Sequence, residues 1–190
     1  MFPLILRKAS PMRRSKGFTL IELMVVVSIL AVLLGLAAPS MVRFVQQWRV
    51  SNTLNSLTGS LRLARTEAIA RAKTVVICSV PSSNPTKCKT SGEDDYSTGW
   101  IVFVNNDGDT GLTFSSGGDE LLLRQDAPAG IEDITLTSAG KFVFYQNGLT
   151  NSPNGINVNA YGYSSSKPWT RKAICLSKPG RIRYVADSVE

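Results

Sequence analysis

The chain has 190 residues, with 21 Lys and Arg against 14 Asp and Glu, no histidine and three cysteines. That length allows one domain of ordinary size with a real core. The absence of histidine removes the commonest general base and metal ligand, which argues against a zinc site and against any histidine-dependent enzyme. The formal charge of +7 is a poor argument for nucleic acid. Arg7, Lys8, Arg13, Arg14 and Lys16 all precede a long apolar run, and without them 16 basic residues face 14 acidic ones.

The 25 residues from Phe18 to Val42 are nearly all apolar. As a helix they reach roughly 37 Å, enough to cross a bilayer core. A secretory signal fits the basic start and the small residues Gly35-Leu36-Ala37-Ala38, but the run is long for one. A plain anchor fits the length and the basic, cytoplasm-facing leader. Neither explains Glu22, an ionisable group inside the membrane segment, where such groups are costly and have a partner or a function.

Lys16-Gly17-Phe18-Thr19-Leu20-Ile21-Glu22-Leu23 resembles the processing site of type IV prepilins and of the pseudopilins of type II secretion. The resemblance implies a leader over 1–17, cut after Gly17 by a prepilin peptidase that methylates the new N-terminus, Phe18. It also implies that Glu22, then fifth in the mature chain, is an assembly residue. Its carboxylate faces a neighbouring subunit's terminal amine, and a paired charge costs far less in a low-dielectric bundle than an isolated one. Pro39 fits a kink or the end of the membrane helix. Met12 is an alternative start that would give a shorter leader.

Residues 43–73 continue as an amphipathic helix, with Phe44, Val45, Trp48, Leu54, Leu57, Leu61, Ala64, Ala68 and Ile69 at roughly helical spacing. Arg43, Arg49, Arg62, Arg65, Arg71 and Lys73 read as its solvated face. From Thr74 the signals turn to strand. TVVICSV, GWIVFVN, ELLLRQ, DITLTS, KFVFYQN, GINVNAYGY, RKAICLS and GRIRYVA are short branched and aromatic runs, separated by Gly, Asn, Ser and Pro. Seven or eight strands against one helix predict an antiparallel α+β domain over 74–190. Val76-Ile77-Cys78, Gly99-Trp100-Ile101-Val102-Phe103 and Gly180-Arg181-Ile182-Arg183 resemble landmarks of the GspH/FimT-type minor pilins and pseudopilins. The fold this implies is a long N-terminal helix on two small antiparallel sheets.

Cys78 and Cys88 close a short loop and are the preferred disulfide if the domain lies outside the cytoplasm, leaving Cys175 as a buried strand residue. Pairing of Cys175 with either of them stays open at this level. Asn105, Asp107 and Asp109 mimic the start of a calcium loop, but the glycine and the bidentate acid are misplaced, so a hairpin turn is the simpler reading. Glu93-Asp94-Asp95 reads as a solvated loop. No catalytic residue, metal site or cofactor is expected.

Charge is segregated along the chain. Ten acids and only Arg124 lie between Glu93 and Asp133, whereas seven cations and no acid lie between Asp133 and Asp187. In an extended KPGRIRYVAD, Arg181 and Arg183 share one face about 7 Å apart, close to the spacing of successive phosphates. Pro179-Gly180 would present them, with Lys178, Arg171 and Lys172 extending the patch; Trp169 could stack on a base, but a tryptophan is more often core or partly buried surface. Charges that guard a sheet edge explain the arginines equally well from charge alone. The resemblance favours the first reading, since a Gly-Arg-x-Arg element marks FimT-type members that bind DNA in natural transformation. The expectation is therefore a minor pilin, made at the inner membrane and placed in a pilus with other pilins, that binds extracellular double-stranded DNA. The alternative is a minor pseudopilin of type II secretion.

Overall fold

The computed structural model describes residues 17–84, 86–89, 95–138, 140–150, 153–164 and 166–185, without the side chains of Ala38 and Pro39. The leader before Gly17, and Glu93, Asp94 and Asp187, lie outside those residues. The chain forms two compact units, Met1–Ser40 and Met41–Glu190.

Helix α1 (Leu20–Arg71) begins at Thr19, whose Oγ1 accepts from the Glu22 backbone N–H at 3.3 Å. Thr19 with Glu22 three residues on is the spacing of a capping box, and an acid in the first turn also suits the helix dipole. In the first unit, Leu20–Ala37 is long and apolar enough to cross a membrane, and none of it is buried. The helical backbone runs on through Pro39, so the proline is not a helix boundary.

In the second unit the helix buries Val50, Leu54, Leu57, Leu61, Ala64 and Ala68. The steps alternate between three and four residues, which keeps them on one stripe. The helix ends at Ala72, which takes φ 52°. The Lys73 N–H then reaches the Ala68 carbonyl at 3.3 Å, the closing bond of a Schellman turn.

The eight expected strand runs all form: β1 (Thr74–Ser79), β2 (Gly99–Asn105), β3 (Glu120–Asp126), β4 (Ile131–Leu136), β5 (Phe142–Phe144), β6 (Asn154–Ala160), β7 (Arg171–Leu176) and β8 (Ile182–Val185). They make two antiparallel four-stranded sheets, ordered β3-β2-β1-β5 and β4-β6-β7-β8. A three-residue 3-10 turn, Pro168–Thr170, precedes β7.

The first sheet is covered on both faces, which explains the unbroken apolar runs of β1 and β2. Val75, Ile77, Trp100, Val102, Phe142 and Phe144 join the helix stripe, while Val76, Cys78, Ile101 and Phe103 pack under Val80, Cys88 and Phe114. The Cys78–Cys88 disulfide ties that covering loop to the sheet, so the pairing follows the short loop and Cys175 is left free. The second sheet offers Ile131, Ile134, Ile156, Val158, Ala160, Ile174 and Leu176 to the core, with Leu136 and Ile182 packed at its margin. Two polar links order the assembly. Trp100 Nε1 donates to Ser60 Oγ at 2.9 Å, and the buried Tyr96 donates from its hydroxyl to the Ile77 and Gly140 carbonyls while its backbone bonds Ile134 of the other sheet. Each satisfies a group that would be costly to bury unpaired.

Candidate functional site

The basic element is built on the β7–β8 hairpin. Gly180 N–H donates to Ser177 O at 2.7 Å and Ser177 N–H to Arg181 O at 3.0 Å, closing a tight turn. Ser177 Oγ adds bonds to both the carbonyl and the N–H of Arg181. Gly180 has φ +74°, a conformation open to glycine at little cost. The space matters as well, since a Cβ there would lie 2.9 Å from Arg65 Cδ and 3.2 Å from the Gly148 carbonyl. Arg65, from the helix, lies against this turn and donates from Nη1 to Gly180 O at 3.4 Å. Thr150 N–H donates to the Lys178 carbonyl at 2.9 Å, tying the other side of the turn to the loop after β5. The presentation of the arginines thus depends on Arg65, which reads in sequence as one more solvated helix arginine. No local signal marks it, because its partner lies 115 residues away.

Strand β8 is the edge of the second sheet. Ile182 packs toward the core, so Arg181 and Arg183 both project on the other face, and both are exposed. Among the described residues neither has a carboxylate partner; the ion pairs are Arg71 with Glu67 and Glu120, and Arg124 with Asp126. Lys178 is exposed beside them in the turn.

The rest of the expected patch is elsewhere. The register sets Arg183 against Cys175, so Arg171 lies four positions along β7, roughly 13 Å away, because an antiparallel hairpin sends its two strands in opposite directions. Arg171 donates to the Tyr163 hydroxyl at 2.9 Å and its guanidinium lies over that ring. Lys172 points to the opposite face and donates to Ser51 Oγ of the helix at 2.7 Å. Lys172 therefore leaves the face of Arg181 and Arg183, while Arg171 shares that face at a distance and is engaged with Tyr163. Trp169 is partly buried and lies under the Arg43 guanidinium at 4.6 Å, in keeping with its commoner reading as partly buried surface. Cys175 is half-buried rather than buried, since Ile174 and Leu176 take the core side and leave it on the arginine face.

The aspartate loop satisfies itself. Asp109 accepts from Gly111 and Thr113, and those bonds hold its carboxyl below the usual range. Asp119 accepts from Asn106 and Ser115, while Lys141 donates to the Gly111 and Leu112 carbonyls. Among the described residues no group of acids, Cys or His is arranged to hold a metal ion.

At the N-terminus, Gly17 and Phe18 are exposed and precede the helix, and Glu22 sits in its first turn. The family model described as Type II transport protein GspH matches residues 53–180. The chain belongs to the GspH/FimT group of type IV pilin-like proteins. The model of the prokaryotic N-terminal methylation motif matches residues 12–38, covering the Gly17-Phe18 junction and Glu22. The type IV narrow pilus major component PilA5 of Thermus thermophilus is 36% identical over 109 residues, 55% of this chain and 90% of that protein. Among solved structures, the type IV minor pilin FimU of Pseudomonas aeruginosa superposes with a TM-score of 0.53 at 16% identity, covering 75% of this chain and 92% of that one. The minor pseudopilin EpsH of the Vibrio cholerae type 2 secretion system gives 0.49 at 11% identity, covering 73% and 97%. The fold and the motif together make this pilin-like chain a membrane-anchored subunit of a pilus or a related pseudopilus.

Proposed function

We propose that this protein is a minor type IV pilin that captures extracellular double-stranded DNA for uptake in natural transformation. The observation that carries the reading is the exposed pair Arg181 and Arg183, on one face of an edge strand and without a carboxylate partner among the described residues. Two guanidinium groups about 7 Å apart suit consecutive phosphates and read no sequence. Lys178 adds a third charge, Gly180 shapes the turn, and Arg65 positions it. In this reading the inner-membrane precursor is cut after Gly17 and methylated at Phe18, and Glu22 meets a neighbouring subunit's terminal amine as the fibre grows. The work is binding and assembly, with no catalytic residue, metal or cofactor.

The test is fluorescence anisotropy of a labelled duplex with the full chain in detergent, across a salt series. Wild type should bind, and Arg181→Ala/Arg183→Ala should bind at least tenfold more weakly, with a log–log salt slope shallower by about two. A double variant that binds as wild type does would assign the arginines to protection of the β8 edge instead. The match to the GspH family model favours the second reading, a minor pseudopilin of type II secretion. Co-purification with other pseudopilins and indifference to DNA would support that reading.

A further inference from the structure

The cations that the fold removes from the hairpin gather elsewhere. Helix residues 43–51 and the segment before β7 form one rim of the folded unit, where a groove of about 550 Å³ is lined by Phe44, Trp48, Ser51, Trp169, Arg171 and Lys172, with others. Phe44 is 62% and Trp48 58% exposed, so two large apolar side chains stand in solvent here. Arg43 covers Trp169, Lys172 is held at the groove by Ser51, and Lys167 is exposed next to Pro168 of the groove wall. Two donors in the groove wall, Trp169 Nε1 and Arg171 Nε, are buried without an acceptor. Against Arg43, Lys167, Arg171 and Lys172 the rim sets Glu132, which accepts from the Gly162 N–H, and Asp133, bonded to Asn159. Of the loop acids, Glu120 and Asp119 lie at the far end of the helix, where Glu120 meets Arg71 and Asp119 meets Asn106, and Asp126 is paired with Arg124.

The helix residues of this rim follow the apolar run directly in sequence. No charged residue separates Glu22 from Arg43, so Arg43 is the first charge after the apolar run, and Phe44 and Trp48 follow within two helical turns. Aromatic rings interleaved with Arg and Lys just beyond a membrane span are the composition of an interfacial belt. The cations complement the phosphates of anionic lipids, and the groove has the size that holds one small head group.

We propose that this rim binds anionic phospholipid head groups while the subunit is anchored, with Phe44 and Trp48 in the head-group layer and Arg43 and Lys172 on lipid phosphates. The rim is separate from the hairpin arginines, so the inference stands whether or not the protein binds DNA.

The test uses the full chain reconstituted into bilayers of phosphatidylcholine alone or mixed with phosphatidylglycerol. The readout is quenching of tryptophan fluorescence by a head-group spin-labelled phosphatidylcholine. Trp100 is fully buried and gives a constant background, so Trp48 and Trp169 report. Quenching should be at least twofold stronger with phosphatidylglycerol, and should fall to the neutral-lipid level in Arg43→Gln/Lys172→Gln. Arg43→Gln/Lys167→Gln, which changes exposed side chains only and keeps the Ser51 bond, should lose a large part of it, and circular dichroism should show both variants folded. Equal quenching in the two bilayers, or folded variants that quench as wild type does, would overturn the proposal. So would loss of quenching on adding duplex DNA, which would make the rim a nucleic-acid face, or a cross-link from Trp48 to a second copy in place of quenching, which would make it a subunit contact.

Discussion

Asp133 shows how burial and sheet geometry set the chemistry of a single carboxyl. It sits on β4 beside Asn159, and desolvation pushes its pKa above the ordinary carboxylate value, helped by Asp95 and Glu132 and opposed by the Asn159 bond and Arg171. Raised affinity for the proton means that Asp133 favours the fold below the ordinary carboxylate pKa, and that this contribution is lost as pH rises through the raised value. Asp133→Asn keeps an acceptor for Asn159 and removes the charge. Its melting temperature should match wild type near pH 3 and exceed it at pH 7 by about 2 °C. A difference that is constant with pH would show that the carboxyl's ionisation is not involved. Gly180 and Arg65 illustrate the same scale without titration. The turn residue is legible in Pro179-Gly180, yet the arginine that fills the space a side chain would need is visible only in the folded chain.

The elements are the best-read level of this protein. Each strand run in the sequence becomes a strand, because branched and aromatic residues fit a pleated surface and the Gly, Asn and Pro clusters between them fit turns. The amphipathic helix is equally legible, since its stripe steps by three and four. Its end is less so, because Ala72 occupies a left-handed position that favours glycine. Ala72→Gly should stabilise the domain by about 1 kcal/mol in urea unfolding, by relieving that conformation. A loss of stability there would mean that the entropy cost of glycine outweighs the strain. What the elements do not disclose is sheet order. β5 joins β1 across the chain, while β4 and β6 pair in the other sheet, because burying both faces of β1 and β2 needs the helix on one side and the disulfide loop on the other.

For the whole molecule, the division of labour runs along the chain: an exposed apolar segment with one carboxylate, then a folded unit with cations at two separate places. Glu22, to which the proposed function gives an assembly role, also stands at the capping-box position of α1. Glu22→Gln keeps a side chain suited to that box and drops the charge. The variant should still be inserted and cleaved, and its incorporation into fibres, measured by immunoblot of sheared filaments, should fall at least tenfold. Incorporation at the wild-type level would remove the carboxylate from the assembly step.

The sequence by itself determined the membrane segment, the processing motif and the strands, because these depend on composition and on residues a few positions apart, and it preferred the short-loop disulfide that the fold then settled. It also singled out Arg181 and Arg183, whose shared face follows from the two-residue period of any strand. Only the tertiary structure decided which other cations stand with them. The β7–β8 register sends Arg171 and Lys172 to the far end, on opposite faces, and brings Arg65 from the helix under Gly180. Those placements depend on strand direction and on contacts between residues more than a hundred positions apart, which no local pattern carries.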